Sequence, residues 1–378
     1  MDDVQSAGMI FFFILYGITG AVPLIAAVYL LLRRGNAFAP SVTPPVRLRR
    51  WAASFFAVAA LGHVWWYLFY IYSRDLRSTS YVVVGLLDCV ALLTTIAGTL
   101  LAMLQDRKRP VWPAFIAMIP FVTLGVLQIL FPETSFTNIA TIYILSIYVL
   151  FSVYMIYAVR QYGQWLNDNY ADLENKKVWL SQTVSLVCLL LFILYVLVAD
   201  IVLMYFLHLI ELVLFGLLLW RVETLPQLAE NSAEEDASTV SALESMQVIP
   251  IQAQQPTTTP VNIDLAQIER LLKEQCVDTQ LYLKHDLTLQ QLAQAVGTNR
   301  FYLSQYFSRQ GITYNTYINN LRINHFISRY QETVAAGQPI VAQQLASESG
   351  YRSYSTFSLA FKQRTGQSVT AWTRESAE

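Results

Sequence analysis

The chain has 378 residues, 55% of them hydrophobic and only 13% charged, a balance too apolar for an ordinary soluble protein of this length. Its formal charge of -1 hides a contrast between its two ends. The three cysteines, Cys89, Cys188 and Cys276, share no repeated spacing, which argues against a disulfide framework, a zinc site and an oxidised, secreted domain; no metal and no cofactor is expected.

The apolar excess lies in the first 221 residues. A helix needs about 20 apolar residues to cross roughly 30 Å of hydrocarbon. Seven such segments are predicted, at 9–32, 51–72, 81–104, 112–131, 138–159, 179–199 and 201–220. Only Asp200 divides the last two, but about 40 apolar residues is twice what one crossing uses. The first segment follows Asp2 and Asp3, with no basic stretch and no small-residue cleavage pattern, and is expected to be retained. Arg33, Arg34, Arg47, Arg49, Arg50, Arg107, Lys108, Arg109, Arg160, Lys176, Lys177 and Arg221 fall on one side of this arrangement, and only Arg74 and Arg77 on the other. Short loops rich in Lys and Arg stay in the cytoplasm, so the amino terminus is expected outside and the carboxyl terminus inside. Trp51, Trp112, Trp179 and Trp220, at the cytoplasmic span ends, agree. The outer connections, 73–80, 132–137 and Asp200, are too short to fold a sensor domain. Any signal must be read within the bundle, at its outer mouth, or through a membrane partner.

Ionisable groups inside hydrocarbon are costly and mark cavities or buried polar contacts. His63, Asp88 and His208 lie roughly 10 to 14 Å from the outer ends, counting about 1.5 Å per residue, with Glu211 one turn deeper. His208 and Glu211 share a helix face. With Trp65 and Trp66, these four could line an outward pocket for a small polar or cationic ligand. The same residues also read as interhelical hydrogen bonds that hold the bundle together, or as part of a proton or ion path. No HExxH, phosphate-cradling loop or Gly-flanked serine with a His partner is present, so no enzyme is expected. A transporter or intramembrane enzyme with an autoregulatory tail is the rival reading.

From Val222 to Asn262 the composition turns to Glu, Ser, Gln, Thr and Pro, with Glu223, Glu230, Glu234, Glu235, Asp236 and Glu244 and no Lys or Arg. Such a stretch buries too little apolar surface to fold alone. It divides the chain into a seven-span domain at 1–221, a flexible acidic linker at 222–262, in which 240–247 has some helical character, and a soluble domain at 263–378.

The soluble domain contains an internal repeat. Leu292-Ala293, Gly297, Leu303, Phe307 and Gly311 recur as Leu345-Ala346, Gly350, Phe357, Phe361 and Gly366. In the first copy Thr288 and Gln291 form a capping box, Gly297 ends the helix, and Asn299 caps a second helix from Arg300 to Gln310. In the second copy, Ile340 to Ser349 and Ser353 or Tyr354 to Gln363 have the same shape. A long helix from Tyr314 to Val334 joins them. These are two helix-turn-helix units, and the whole chain is expected to be all-α. Residues 288 to 374 carry Arg300, Arg309, Arg322, Arg329, Arg352, Lys362, Arg364 and Arg374 against Glu332 and Glu348, as a phosphate-binding surface would.

The segments LTLQQLAQAVGTNRFYLSQYFSRQGITYNTYINNLRI and IVAQQLASESGYRSYSTFSLAFKQRTGQS resemble the AraC/XylS family of bacterial transcription regulators. The resemblance covers about 265 to 374. It implies transcription control, usually activation through RNA polymerase, by two helices entering successive major grooves of double-stranded DNA. Taken with the predicted spans, the chain is expected in the bacterial cytoplasmic membrane, with a homodimer as one candidate assembly. By position, Asn299, Arg300, Phe301, Ser304 and Gln305 face outward in the first reader, and Ser353, Tyr354, Ser355 and Ser358 in the second. Arg309, Lys362 and Arg364 read as phosphate clamps. Val369 and Trp372 replace the family's usual proline and tyrosine, and Leu359 takes a recognition position often polar, so the second reader is expected to discriminate bases less.

Overall fold

The computed structural model describes residues 2–33, 35–40, 42–72, 79–131, 134–198, 201–228 and 265–375. Each predicted apolar segment falls in a helix: α1 (Asp2–Leu32), α2 (Val46–Tyr72), α3 (Thr79–Ala102), α4 (Trp112–Leu130), α5 (Thr134–Asn169), α6 (Trp179–Val198) and α7 (Ile201–Thr224). Among the described residues, six contain stretches long and apolar enough to cross a membrane: Met9–Leu32, Val46–Tyr72, Thr79–Ala102, Trp112–Leu130, Phe136–Asn169 and Tyr205–Thr224. In α6 the apolar stretch Trp179–Leu191 is shorter. The predicted outer connections lie largely outside the described residues.

These helices expose large apolar side chains, including Ile14, Ile25, Ile119, Ile142 and Leu150, and bury small ones such as Ala26, Ala27, Ala52, Ala53 and Ala60. That pattern inverts a water-soluble bundle and suits lipid, where small residues let helices approach. Gly98 makes room for the Trp51 ring and Gly125 for Leu86. α1 packs on α2 and α7, α2 on α3 and α7, α3 on α4, and α6 on α7. α5 is tied in by Tyr143 Oη donating to Ala117 O (2.8 Å) and Tyr148 Oη donating to Leu186 O (3.0 Å).

The chain divides into two compact units, Met1–Tyr162 with Val178–Ser238, and Gly163–Lys177 with Thr239–Glu378. Two boundaries differ from the sequence expectation. The linker does not begin at Val222: Val222, Glu223 and Leu225 are fully buried, Gln227 N donates to Thr43 O (2.7 Å) and Leu228 N to Gln105 Oε1 (3.0 Å). Val222 continues the apolar stripe of α7, Leu225 and Leu228 are buried just past its end, and Tyr29 Oη donates to the Glu223 carboxylate (2.9 Å), which the acidic composition concealed. The rest of the expected linker, with its helix at 240–247, lies outside the described residues.

The second difference concerns the connection between α5 and α6. The sequence counted only its charges, yet Gly163–Lys177 folds with the soluble domain. α5 runs ten residues past the predicted span because Gln161, Gln164, Asn167 and Asp168 are compatible with a hydrated helix, whose backbone bonds are internal in water as in lipid.

In the second unit α8 (Leu265–Leu272) runs into a π turn at Lys273–Val277, followed by α9 (Leu289–Val296), α10 (Arg300–Arg309), α11 (Tyr314–Ala335), α12 (Ala342–Glu348), α13 (Tyr354–Thr365) and α14 (Val369–Glu375). No strand occurs among the described residues; Tyr170 and Thr288 form an isolated antiparallel bridge. α11, about 33 Å long at 1.5 Å per residue, joins two cores. Its Tyr314 and Ile318 pack with Leu292, Leu303 and Phe307, and its Ile323, Phe326 and Tyr330 with Leu345, Phe357 and Phe361. Trp372 and Val369 complete the second core: the Trp372 ring lies 5.0 Å from Tyr330 and 5.5 Å from Phe361, and Val369 is buried. The departures from the family pattern at these positions are therefore packing choices.

Candidate nucleic-acid interface and polar cluster

Each helix-turn-helix unit is built by its caps. Thr288 Oγ1 accepts from Gln291 N (3.2 Å) while Gln291 Oε1 accepts from Thr288 N (3.4 Å), opening α9. Gly297 closes that helix at φ +73°, a left-handed turn that Gly adopts without a Cβ penalty. Asn299 Oδ1 then accepts from Tyr302 N (2.9 Å) and starts α10. In the second unit Ser353 Oγ accepts from Thr356 N (3.3 Å) and starts α13. Asn299 and Ser353 thus spend part of their bonding capacity on capping.

Leu303 and Phe307 on α10, and Phe357 and Phe361 on α13, are buried. The opposite faces carry the predicted contacts. Phe301 is 67% exposed, and its ring meets Tyr302 edge-on. Asn299, Arg309, Tyr354, Ser355, Lys362, Arg364 and Leu359 are exposed, and Arg300, Ser304, Gln305, Ser353 and Ser358 half-buried. The basic surface is smaller than the sequence count. Arg322 is 1% exposed: its Nε donates to Tyr282 O and its Nη2 to Lys284 O, both at 2.7 Å, with the guanidinium 5.5 Å from the Tyr351 ring centre. It is a strut between the two halves, and its burial withdraws it from the basic surface. Arg329 pairs with Glu332 (2.7 Å) and Arg352 with Asp286 (2.7 Å), so both are partly neutralised.

One carboxylate sits on the second reader. Glu174 accepts from Ser353 Oγ, from Thr356 Oγ1 (3.0 Å) and from Ser355 Oγ (3.5 Å), all at the amino end of α13. Its turn is fixed by Asp172 Oδ1 accepting from Glu174 N (2.9 Å) and by Asn175 at φ +58°, a conformation Asn tolerates. The turn is held by Asn315 Nδ2 donating to Ala171 O (2.7 Å), by Ala171 buried in the first core, and by Lys176 facing Asp286 (3.6 Å). Sequence reasoning missed Glu174, because nothing in a short charged loop announces that it docks on a distant domain.

A family profile described as "Helix-turn-helix domain" matches residues 292–375. Residues 292–375 are an AraC-type helix-turn-helix domain. Such a domain marks a DNA-binding transcription regulator, and the apolar helices of the first unit are compatible with membrane association. Comparison with curated proteins and with solved structures gives no match. The matched residues take in most of α9, all of α10 and α11, and the second helix-turn-helix unit.

In the first unit the structure brings together three of the four predicted polar residues. His208 Nδ1 lies 3.1 Å from Glu211 Oε2, and His63 Nε2 lies 3.8 Å from the same oxygen. Thr19 Oγ1 stands between the imidazoles, 3.0 Å from His63 Nε2 and 3.4 Å from His208 Nδ1. Tyr16 Oη donates to His63 O (2.6 Å), and its ring packs on both histidines. Asp88 accepts from Trp66 Nε1 (3.0 Å) and lies against Gly62, where an added Cβ would come within 2.6 Å of its Oδ1. Tyr16 and Thr19 were missed; their i, i+3 spacing on an otherwise apolar helix was the available signal.

Proposed function

We propose that the chain is a membrane-embedded, sequence-specific transcription regulator in which the connection between α5 and α6 governs the second DNA reader. The observation that carries this reading is the Glu174 clamp on Ser353, Ser355 and Thr356. The amino end of a recognition helix is where base edges and phosphates meet it, and a helix amino terminus with hydroxyl donors is an anion site. Glu174 occupies that place with a carboxylate, so the second reader engages DNA only when the loop withdraws. Because that loop joins two helices of the first unit, a change in their packing reaches the reader without travelling through the acidic linker. DNA contacts are assigned to Asn299, Arg300, Phe301, Ser304 and Gln305 in the first reader and to Ser353, Tyr354, Ser355 and Ser358 in the second, with Arg309 and Lys362 on phosphates. The topology is amino terminus outside and carboxyl terminus in the cytoplasm of a bacterial inner membrane, and the output is activation through RNA polymerase, with a homodimer as one working assembly.

The test uses full-length protein in lipid nanodiscs and sequences selected from random double-stranded DNA. Wild type is expected to protect the first half-site strongly and the second weakly. Glu174→Ala removes a charge-assisted contact set and is expected to protect both and to bind roughly 10-fold more tightly, at about 1.5 kcal/mol for such a contact. An identical footprint and affinity in wild type and Glu174→Ala would overturn the proposal.

A further inference from the structure

We propose that His63, His208 and Glu211 form a binding site for one divalent transition-metal cation of the zinc class, and that this cation is the signal the first unit reads. The site stands on its own geometry; its role as the signal rests on the reading of the chain as a membrane-embedded regulator. One donor atom from each of the three residues lies within 4.8 Å of the others. Zinc holds His nitrogen and carboxylate oxygen at about 2.0 to 2.2 Å in a tetrahedron, whose edges are therefore about 3.3 Å. The two separations from Glu211 Oε2, 3.1 Å and 3.8 Å, lie on either side of that edge, and all three donor atoms lie within 4.8 Å of one another, so occupancy requires the donors to close in around the ion.

The hydrogen bonding points the same way. His63 Nδ1 faces Ala59 O at 2.9 Å, a carbonyl that can only accept, so the ring proton is on Nδ1 and the Nε2 lone pair points into the cluster. A backbone carbonyl fixing the far nitrogen is the usual support of a metal-binding imidazole. Glu211 as a carboxylate only accepts, and the single Thr19 hydroxyl proton is shared among Leu15 O (3.1 Å), Tyr16 O (2.9 Å) and His63 Nε2 (3.0 Å). The same rule puts the His208 ring proton on Nδ1, toward Glu211 Oε2, so a cation takes that nitrogen only after the proton moves to Nε2, while His63 Nε2 and the Glu211 carboxylate offer it lone pairs directly. Two imidazoles with one carboxylate suit zinc, cobalt or nickel, whereas magnesium and calcium prefer all-oxygen cages. A divalent charge in hydrocarbon also needs compensation; Glu211 supplies one negative charge, and Asp88 lies against Gly62, the residue before His63 in the chain. The fourth tetrahedral position falls to Thr19 Oγ1 or a water.

The experiment is equilibrium dialysis of full-length protein in nanodiscs, stripped with chelator, against Zn²⁺, with Co²⁺ as a spectroscopic probe. One metal ion per chain and visible Co²⁺ bands of tetrahedral type are expected. His63→Ala and Glu211→Gln should each weaken binding by at least 100-fold, Asp88→Asn by much less. His208→Cys should keep the metal and add a thiolate-to-Co²⁺ charge-transfer band, a signature that a purely structural histidine cannot give. No stoichiometric binding by wild type, or unchanged binding by Glu211→Gln, overturns the site. Stoichiometric Zn²⁺ binding that leaves DNA affinity unchanged would preserve the site and remove its signalling role. A DNA response to Zn²⁺ that survives Glu211→Gln would likewise place the signal elsewhere.

Discussion

Replacing Arg322 by methionine tests how the two readers are held in one orientation. The side chain is 1% exposed and serves two backbone carbonyls, Tyr282 O and Lys284 O, each at 2.7 Å, while its guanidinium faces Tyr351. Methionine fills most of the volume but donates nothing, and backbone carbonyls cannot be substituted away. Two orphaned acceptors cost about 1 to 3 kcal/mol each, and the lost cation–π contact about 1 kcal/mol. Against this stands relief of the buried charge, whose desolvation depresses the Arg322 pKa below its ordinary value. A net loss of about 3 kcal/mol is expected, or roughly 150-fold in the opening equilibrium. Hydrogen exchange on the full-length protein reads this locally. Amides of α11 and α13 should exchange about 150-fold faster in the variant, while those of α1 to α4 stay as they were. Wild-type protection of α11 in Arg322→Met would refute the strut, and equal loosening of α1 to α4 would refute its confinement to the second unit.

Further expectations follow from the same geometry. Arg300→Ala and Gln305→Ala should relax preference at a few base pairs, costing roughly 1 to 3 kcal/mol each, whereas Arg309→Ala should weaken all sequences alike and flatten the salt dependence; identical specificity profiles for Gln305→Ala and Arg309→Ala would reverse the face assignment. Cys276 is fully buried and its thiol is pushed up to about 11 by that burial, so in a Cys89→Ala, Cys188→Ala background it should resist a disulfide reagent at pH 8 until the chain is unfolded. Rapid labelling in the native protein would contradict the core around it. Reporter fusions after Arg221 should behave as cytoplasmic and those within 134–137 as external. The opposite pattern would separate the readers from the chromosome.

The helices and their caps were legible because each depends on local chemistry. Thr288 with Gln291, Asn299 and Gly297 announce helix ends within four residues of the chain, and the structure uses each as read. The apolar spans were equally plain. What the sequence hid was long-range: Arg322 looks like any surface arginine on an exposed helix until Tyr282 and Lys284 present their carbonyls to it. Glu174 lies 179 residues from the serine it binds, and no periodicity encodes that pairing. The polar cluster was half legible. His208 and Glu211 declare themselves by helical spacing, whereas Thr19 and Tyr16 join only because α1 packs against both α2 and α7.

The central claim, a sequence-specific DNA reader tethered to the membrane, is tested most directly by cross-linking the intact protein to the chromosome in cells and sequencing the DNA recovered from the membrane fraction. The account predicts discrete sites, each with two half-sites about one helical turn apart, near 34 Å, and loss of those sites in an Arg300→Ala, Gln305→Ala double variant. Recovery of DNA without sequence enrichment, or of the same sites from the double variant, would contradict it.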